Sequence, residues 1–246
     1  MWDTAGLPLK HVEGHTETLF LAEQRRPSHL RAVNFDPVAR LYRWLEYLSF
    51  GPWLARCRNA QLRHLTGARN ALLLGDGDGR FLHQLLAVNP GLHADVVDSS
   101  QSMLTILNRR VQQAGAENIR LHLAEALQWQ PIGQYDLIVS HFFLDCFFPD
   151  QLEQLFDRVL PHAQPGAKWL VSEFAVPRNP LIAFLARGII ASLYRVFGLL
   201  TGLQVRSMPD YANSMRRRGL ALSHEHRFLA GLLRSELWTL SSAPQK

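Results

Sequence analysis

The stretch Ala71-Leu-Leu-Leu-Gly-Asp-Gly-Asp-Gly-Arg-Phe81 predicts the fold of this chain. An apolar run leads into three glycines at alternate positions, and an apolar helical pattern begins at Phe81. This order predicts a buried strand, a tight turn and the start of a helix. Glycines suit such a turn because they adopt backbone angles that side chains forbid and let a ligand approach the main chain closely.

The charge of the turn indicates which ligand it binds. A dinucleotide-binding turn has its third glycine one place later, where this chain has Arg80. A pyrophosphate at the helix N-terminus would also meet the two acids Asp76 and Asp78. About 20 residues further on, the second predicted strand ends at Asp98, the place where an acid binds ribose hydroxyls. These residues favour a nucleoside without phosphates that carries a positive centre.

The turn and the downstream Val97-Asp-Ser-Ser100 resemble the first two motifs of the class I S-adenosylmethionine-dependent methyltransferases. The resemblance implies an α/β, Rossmann-like fold with a seven-stranded, mostly parallel sheet, an antiparallel edge strand and an N-terminal helical cover. It implies S-adenosyl-L-methionine as the cofactor. The chain departs from the family at Leu73, where an acid is common. The implied cofactor-binding residues in the two motifs are Gly75, Asp76, Gly77, Asp78, Gly79, Asp98 and Ser99.

The same resemblance implies further cofactor contacts. Met103 matches a position that packs on the adenine, and Glu125-Ala126 matches an acid-alanine pair whose acid accepts a hydrogen bond from the adenine amino group. The segment 34–51 resembles the opening of the quinone-pathway methyltransferases and implies that Tyr42 closes over the cofactor. Ordinary core packing remains the alternative for Met103 and Tyr42.

A second segment, 172–181, also resembles the quinone-pathway methyltransferases of ubiquinone and menaquinone biosynthesis. These enzymes have Glu-Phe, a proline, Asn-Pro and a long apolar helix after the corresponding strand, as this chain does. They are therefore the nearest enzymes in motifs. The likeness does not extend to 141–148 or to 208–211, so the acceptor stays open.

The aromatic segment 141–148 follows the fourth predicted strand, whose apolar run is typical of a strand buried on both faces. Open α/β sheets bind ligands at the carboxyl ends of their strands, so we expect Ser140 and His141 to contact the cofactor. His141 and Asp145 are the candidate catalytic residues, because a histidine with a pKa near neutrality can act as base for a phenol or an activated carbon acid. A histidine that only hydrogen-bonds the backbone or the donor remains the alternative.

The chain is predicted to divide into an N-terminal arm, 1–33, and a methyltransferase domain, 34–246. Within the domain we expect a helical cover over the cofactor at 34–68 and a helical lid insertion at 178–215. The part 181–200 is apolar nearly all round, with two arginines. A helix of this kind is buried, covers an apolar pocket or lies on a membrane surface.

Composition excludes several other classes. A hydrophobic content of 47% and a charged content of 19% are ordinary for a globular protein. The net charge of +5 comes from scattered arginines without a long basic tract, which argues against nucleic-acid binding. Cys57 and Cys146 lack the spacing of a metal site or disulfide framework, so no metal is expected. The sequence shows neither a signal-peptide pattern nor a transmembrane segment, which predicts a cytoplasmic protein.

The residues and the resemblance together predict an S-adenosylmethionine-dependent methyltransferase. Its partner would be a small apolar or aromatic acceptor. A lipophilic acceptor and peripheral contact with a membrane stay open. The sequence does not predict the oligomeric state. A nicotinamide-dependent oxidoreductase is the alternative enzyme, disfavoured by Arg80 and the acids of the turn. A non-catalytic nucleoside-binding or scaffold protein is the third hypothesis, motivated by Leu73 and the lack of a clear base.

Overall fold

The computed structural model describes residues 52–177, 183–184, 188 and 210–241. The predicted arm, Tyr42 with most of the helical cover, and most of the predicted lid at 178–215 lie outside the described residues. Within them, the predicted cover forms one helix and a single 3-10 turn at Leu62–His64. The helices and strands are α1 (Trp53–Asn59), β1 (Asn70–Leu74), α2 (Arg80–Val88), β2 (His93–Asp98), α3 (Gln101–Gln113), β3 (Ile119–Leu123), β4 (Tyr135–His141), α4 (Pro149–Val159), β5 (Ala163–Phe174), α5 (Tyr211–Arg217), β6 (Leu220–Phe228) and β7 (Leu233–Leu240).

The strands form one seven-stranded sheet in the order β3-β2-β1-β4-β5-β7-β6. Neighbouring strands from β3 to β5 are parallel, whereas β7 is antiparallel to both β5 and β6. This confirms the predicted Rossmann-like α/β fold, and it places the antiparallel strand between β5 and the outermost strand β6. The strand order reverses between β1 and β4, which is the point where open α/β sheets bind their ligands.

Alternation along β1 explains why helices cover both faces of the sheet. Successive side chains of a strand point to opposite faces. Leu73 packs with Phe81 and Leu107 of α2 and α3, whereas Leu72 packs with Leu155 of α4 and with Trp169. All of these side chains are at most 2% exposed. Burial on both faces is what the continuous apolar runs of the sequence predict.

One acid within the sheet, Asp95 on β2, is buried among polar partners. Its carboxylate oxygens lie 2.7 Å from Arg120 Nη2, 2.7 Å from His122 Nε2 and 2.8 Å from the Tyr135 hydroxyl. Burial raises the pKa of Asp95, but these hydrogen bonds outweigh it and hold the pKa below its usual value. Asp95 is therefore a charged group that stabilises the fold.

None of the helices formed by the described residues has the length and hydropathy of a membrane-spanning segment.

Candidate functional site

The turn between β1 and α2 uses each glycine for a different reason. Gly75, Gly77 and Gly79 have φ angles of +65°, +61° and +77°, which are strained for any residue with a side chain. A Cβ on Gly79 would lie 2.6 Å from Leu107 Cγ, so this glycine allows α2 to pack on α3. A Cβ on Gly75 would lie 2.4 Å from Phe143 Cδ2. Nothing lies within 4 Å of the same position on Gly77, which therefore faces open space.

Asp98 lies at the carboxyl end of β2, beside this open glycine. Its Oδ2 accepts a hydrogen bond from the Gly77 amide at 3.1 Å, and its Oδ1 accepts one from the Ser100 amide at 2.9 Å. These bonds fix the orientation of the carboxylate, whose oxygens act only as hydrogen-bond acceptors when ionised. Ser100 in turn caps α3 by accepting from the Met103 amide at 3.3 Å. The arrangement suits the two hydroxyls of a ribose.

The two acids of the turn have different surroundings. Asp78 accepts from Arg80 Nε at 3.0 Å and from Arg110 Nη2 at 3.2 Å, so two cations compensate its charge. Asp76 accepts from the Leu82 amide at 3.3 Å, and burial raises its pKa to about 7. The two charges that the sequence places in the turn therefore do not act together on a ligand. Asp78 stays a predicted cofactor contact, with its carboxylate directed to arginines.

His141 ends β4 on the same side of the sheet as α2. It is 6% exposed, and its ring lies edge-on to Phe81 with centroids 4.4 Å apart. Neither ring nitrogen has a hydrogen-bond partner among the described residues. Burial, and to a lesser extent the charge of Arg58, lowers the pKa of His141 well below its usual value, so the ring is neutral. Buried polar atoms without partners are costly, and a ligand that pairs with these nitrogens would remove that cost.

Arg58 on α1 is a site residue that sequence reasoning missed. Its charge lowers the pKa of both Asp76 and His141, and its Cζ lies 5.4 Å from the centroid of the Phe142 ring. Helical arginines are usually solvated, and no spacing in the sequence connects Arg58 with the glycine turn. The structure therefore places the cation of Arg58, the half-buried acid Asp76 and the neutral imidazole of His141 near the point where the strand order reverses between β1 and β4.

The aromatic segment after β4 begins with an unusual turn. Phe142 has a φ of +51°, and its amide donates to the Ser172 carbonyl at 2.6 Å. The ring of Phe143 packs on Gly75 and, edge-on, against Phe147 at 5.0 Å between centroids. Phe143 and Phe147, which we call the aromatic wall, thus place part of the aromatic segment 141–148 directly beside the glycine turn.

The remaining predicted site residues are less exposed to a ligand. Ser140 is buried, and its hydroxyl accepts from Trp169 Nε1 at 3.0 Å, so any contact with a cofactor would come from its backbone. Asp145, the second candidate base, is 6% exposed and lies 3.6 Å from Cys146 Sγ. The predicted residues that follow β2 and β3 are buried or half-buried: Ser99, Met103, Glu125 and Ala126.

The central part of this chain is similar to a known protein family. Residues 72–169 match a family described as a methyltransferase domain. No curated protein sequence matches the chain.

Solved structures match the fold over most of the chain. The N-methyltransferase NodS of Bradyrhizobium japonicum, solved with S-adenosyl-L-homocysteine, is 15% identical with a TM-score of 0.57, covering 78% of this chain and 88% of that one. An O-methyltransferase family 2 protein of Planctomyces limnophilus, solved with apigenin, is 17% identical with a TM-score of 0.61, covering 82% of this chain and 61% of that one. The mitomycin 7-O-methyltransferase is 14% identical with a TM-score of 0.60, and the match covers 83% of this chain and 60% of that one. The chain thus spans about three fifths of the length of these two O-methyltransferases.

Proposed function

We propose that this chain is an S-adenosylmethionine-dependent methyltransferase with the class I fold and that it methylates a small aromatic or apolar acceptor. The observation that carries the proposal is the carboxylate of Asp98 fixed beside Gly77, which faces open space two residues after Gly75, the glycine on which Phe143 packs. Bound S-adenosylmethionine supplies an electrophilic methyl group on a sulfonium. The protein then needs mainly to align the acceptor with that methyl group and to exclude water.

The described residues fit the three polar parts of this cofactor. Asp98 would accept hydrogen bonds from the ribose hydroxyls. The opposite charges of Arg58 and Asp76 suit the carboxylate and the ammonium of its amino-acid end. His141, neutral and without a partner for either nitrogen among the described residues, lies where the charge of Arg58 also acts. The remaining cofactor contacts in this proposal are Tyr42, Gly75, Asp78, Gly79, Ser99, Met103, Glu125, Ala126 and Ser140.

The aromatic wall supports an aromatic acceptor. Phe143 and Phe147 form an edge-to-face pair against the glycine turn, and such rings bind planar apolar groups well. A phenol or quinol-like acceptor fits both this wall and the sequence likeness to the quinone-pathway enzymes. The Planctomyces protein was solved with apigenin, which is itself a phenol.

His141 is the proposed proton acceptor for such an acceptor, with Asp145 as the second candidate. His141 is neutral, so its ring can take a proton when a phenol is methylated, but burial lowers its pKa well below the near-neutral value expected from the sequence and makes it a weaker base. His141→Ala should then lower the rate of methyl transfer more than the affinity for S-adenosylhomocysteine. Equal losses in both would make His141 a donor-binding residue instead.

The rest of the predicted organisation remains part of this proposal. It includes the arm at 1–33, the cover at 34–68, the lid at 178–215, a cytoplasmic location and peripheral membrane contact through 181–200.

The first experiment is calorimetric titration with S-adenosylmethionine, S-adenosylhomocysteine and reduced nicotinamide adenine dinucleotide, each separately. We expect the two sulfur ligands to bind with affinities on the order of micromolar and the dinucleotide not to bind. Binding of the dinucleotide alone would overturn the proposal, and binding of none would favour a scaffold. Transfer of a radiolabelled methyl group to apigenin, hydroquinone and an arylamine would then assign the acceptor class.

A further inference from the structure

The turn after β4 needs an external support, because its backbone is strained. Phe142 has a φ of +51°, a left-handed conformation that is strained for a residue with a bulky side chain. Such strain persists only where the surroundings fix it. The β4–β5 ladder continues as far as the bond from the Phe142 amide to Ser172 and no further.

Beyond the end of the ladder, the side chain of Glu173 on β5 provides the hydrogen-bond acceptor. Its Oε1 accepts hydrogen bonds from the amides of Phe143 at 3.0 Å and Leu144 at 2.8 Å. One carboxylate oxygen thus accepts the hydrogen bonds of two successive amides, a role that backbone carbonyls have along the ladder. The side chain is fully buried, so these bonds are not exchanged with water.

The surroundings of Glu173 make this arrangement costly. Its Oε2 has no hydrogen-bond partner among the described residues. Burial, followed by the charge of Asp145, raises the pKa of Glu173 well above its usual value. Arg234 lies opposite Glu173 in the ladder, but it donates to the Tyr211 hydroxyl at 2.8 Å and pairs with Glu236 at 3.0 Å. A buried acid retained at such a place calls for an explanation beyond packing.

The position of the supported turn gives that explanation. The turn directs Phe143 onto Gly75 and directly follows His141, whose ring lies against Phe81. It therefore adjoins both side chains at the place where the strand order reverses. Displacement of this turn by an ångström would change the alignment on which methyl transfer depends. We propose that Glu173 is a positioning residue for methyl transfer: it holds residues 142–144 so that Phe143 forms the wall shared by the donor and acceptor sites. This inference rests on the proposed function.

Two substitutions of Glu173 test whether its hydrogen-bond acceptor oxygen, rather than its charge, supports the turn. Glu173→Gln keeps an oxygen that can accept from both amides, whereas Glu173→Ala removes it. We expect Glu173→Ala to weaken S-adenosylhomocysteine binding by about tenfold or more and Glu173→Gln to stay within about threefold of the unmodified protein. Hydrogen exchange of a peptide covering 142–148 should accelerate in Glu173→Ala and not in Glu173→Gln.

A second variant tests whether the effect passes through Phe143. Phe143→Ala should weaken S-adenosylhomocysteine binding, and Glu173→Ala should add little to it in the double mutant, because both remove the same wall. Glu236→Gln is the matched control. It changes another buried acid of the sheet, one that bonds Tyr211 and Trp238, and should lower the unfolding temperature without changing this affinity.

Several results would overturn the inference. Unchanged affinity and exchange in Glu173→Ala would do so, as would an equal loss in Glu173→Gln or additive losses in the double mutant. If Glu173→Ala does not fold, the Glu173→Gln and Phe143→Ala variants decide between these outcomes. If the unmodified protein does not bind S-adenosylhomocysteine, the proposed function fails, and hydrogen exchange still decides whether Glu173 holds the turn.

Discussion

Replacing Gly75 by alanine tests how closely the aromatic wall approaches the glycine turn. Gly75 has a φ of +65°, and a new Cβ would lie 2.4 Å from Cδ2 and 2.9 Å from Cε2 of Phe143. The left-handed backbone costs about 1–2 kcal/mol for alanine. Overpacking against a ring costs about 1–3 kcal/mol more. Gly75→Ala should therefore lower the free energy of unfolding by roughly 2–5 kcal/mol.

Gly77→Ala is the matched control, because it carries the same backbone cost without the contact. Gly77 has a φ of +61°, and nothing lies within 4 Å of the position that its new methyl group would take. Gly77→Ala should lower the free energy of unfolding by about 1–2 kcal/mol. Urea unfolding followed by tryptophan fluorescence measures both variants, and equal m values would show that the denatured states are comparable.

A double-mutant cycle identifies the ring that is responsible. In Phe143→Ala, the additional cost of Gly75→Ala should fall to that of Gly77→Ala, since the clashing atoms are gone. Equal losses of stability in the two glycine variants, or a difference that Phe143→Ala leaves unchanged, would show that the Phe143 ring does not crowd position 75. Gly77→Ala should still weaken S-adenosylhomocysteine binding, because its methyl group points into the open space beside Asp98.

Three further predictions concern two acids of β2 and one acid of the glycine turn. Asp98→Ala should weaken S-adenosylmethionine binding by about 1.5–3 kcal/mol in calorimetry, because the ribose hydroxyls lose a charge-assisted partner. The raised pKa of Asp76, about 7, predicts that donor binding weakens as the pH falls below this value, since only the carboxylate attracts an ammonium, and that Asp76→Asn removes this dependence. The stability of the protein without ligand depends on pH in the opposite direction. Because the native pKa of Asp76 is raised, the free energy of unfolding falls as the pH rises from about 4 to that native pKa. The lowered pKa of Asp95 predicts stability that is present above about pH 4 and lost as the pH falls through the native pKa, which urea unfolding across this range would measure.

Each of these has a result that would contradict it. An unchanged affinity in Asp98→Ala would reject the ribose assignment. Donor binding that is independent of pH around neutrality would remove the Asp76 assignment. For Asp95, the decisive comparison is Asp95→Asn, whose stability should depend less steeply on acid pH than that of the unmodified protein. Equal slopes would show that this acid does not stabilise the fold through its charge.

The fold was predictable because its determinants are local. The glycines at alternate positions and the apolar runs that became β1 and β4 carry the strand, turn and burial information within a few residues. The two strands that became β6 and β7 are joined by a short connection at 229–231, and proximity in sequence makes their pairing readable. The resemblance to the class I S-adenosylmethionine-dependent methyltransferases named the cofactor, which these local patterns narrow only to a nucleoside without phosphates.

The site was less predictable because its contacts join distant parts of the chain. Asp78 meets Arg110 across 32 positions, and Glu173 meets Phe143 across 30. No periodicity or composition encodes such pairs, so the charge of the turn was overstated and the support of the aromatic segment was missed. The left-handed Phe142 has no sequence signal either, because aromatic residues rarely adopt that conformation.

The insertion of β7 between β5 and β6 has a consequence for protein synthesis. Strand β5, with the buried Trp169 and Val171, receives its second neighbour only when residues 233–240 have left the ribosome. Until then its edge offers unpaired amides and apolar side chains to other chains, the situation that promotes aggregation. A stop codon that removed only β7 would therefore expose the middle of the sheet, and its product would be a substrate for chaperones and proteases.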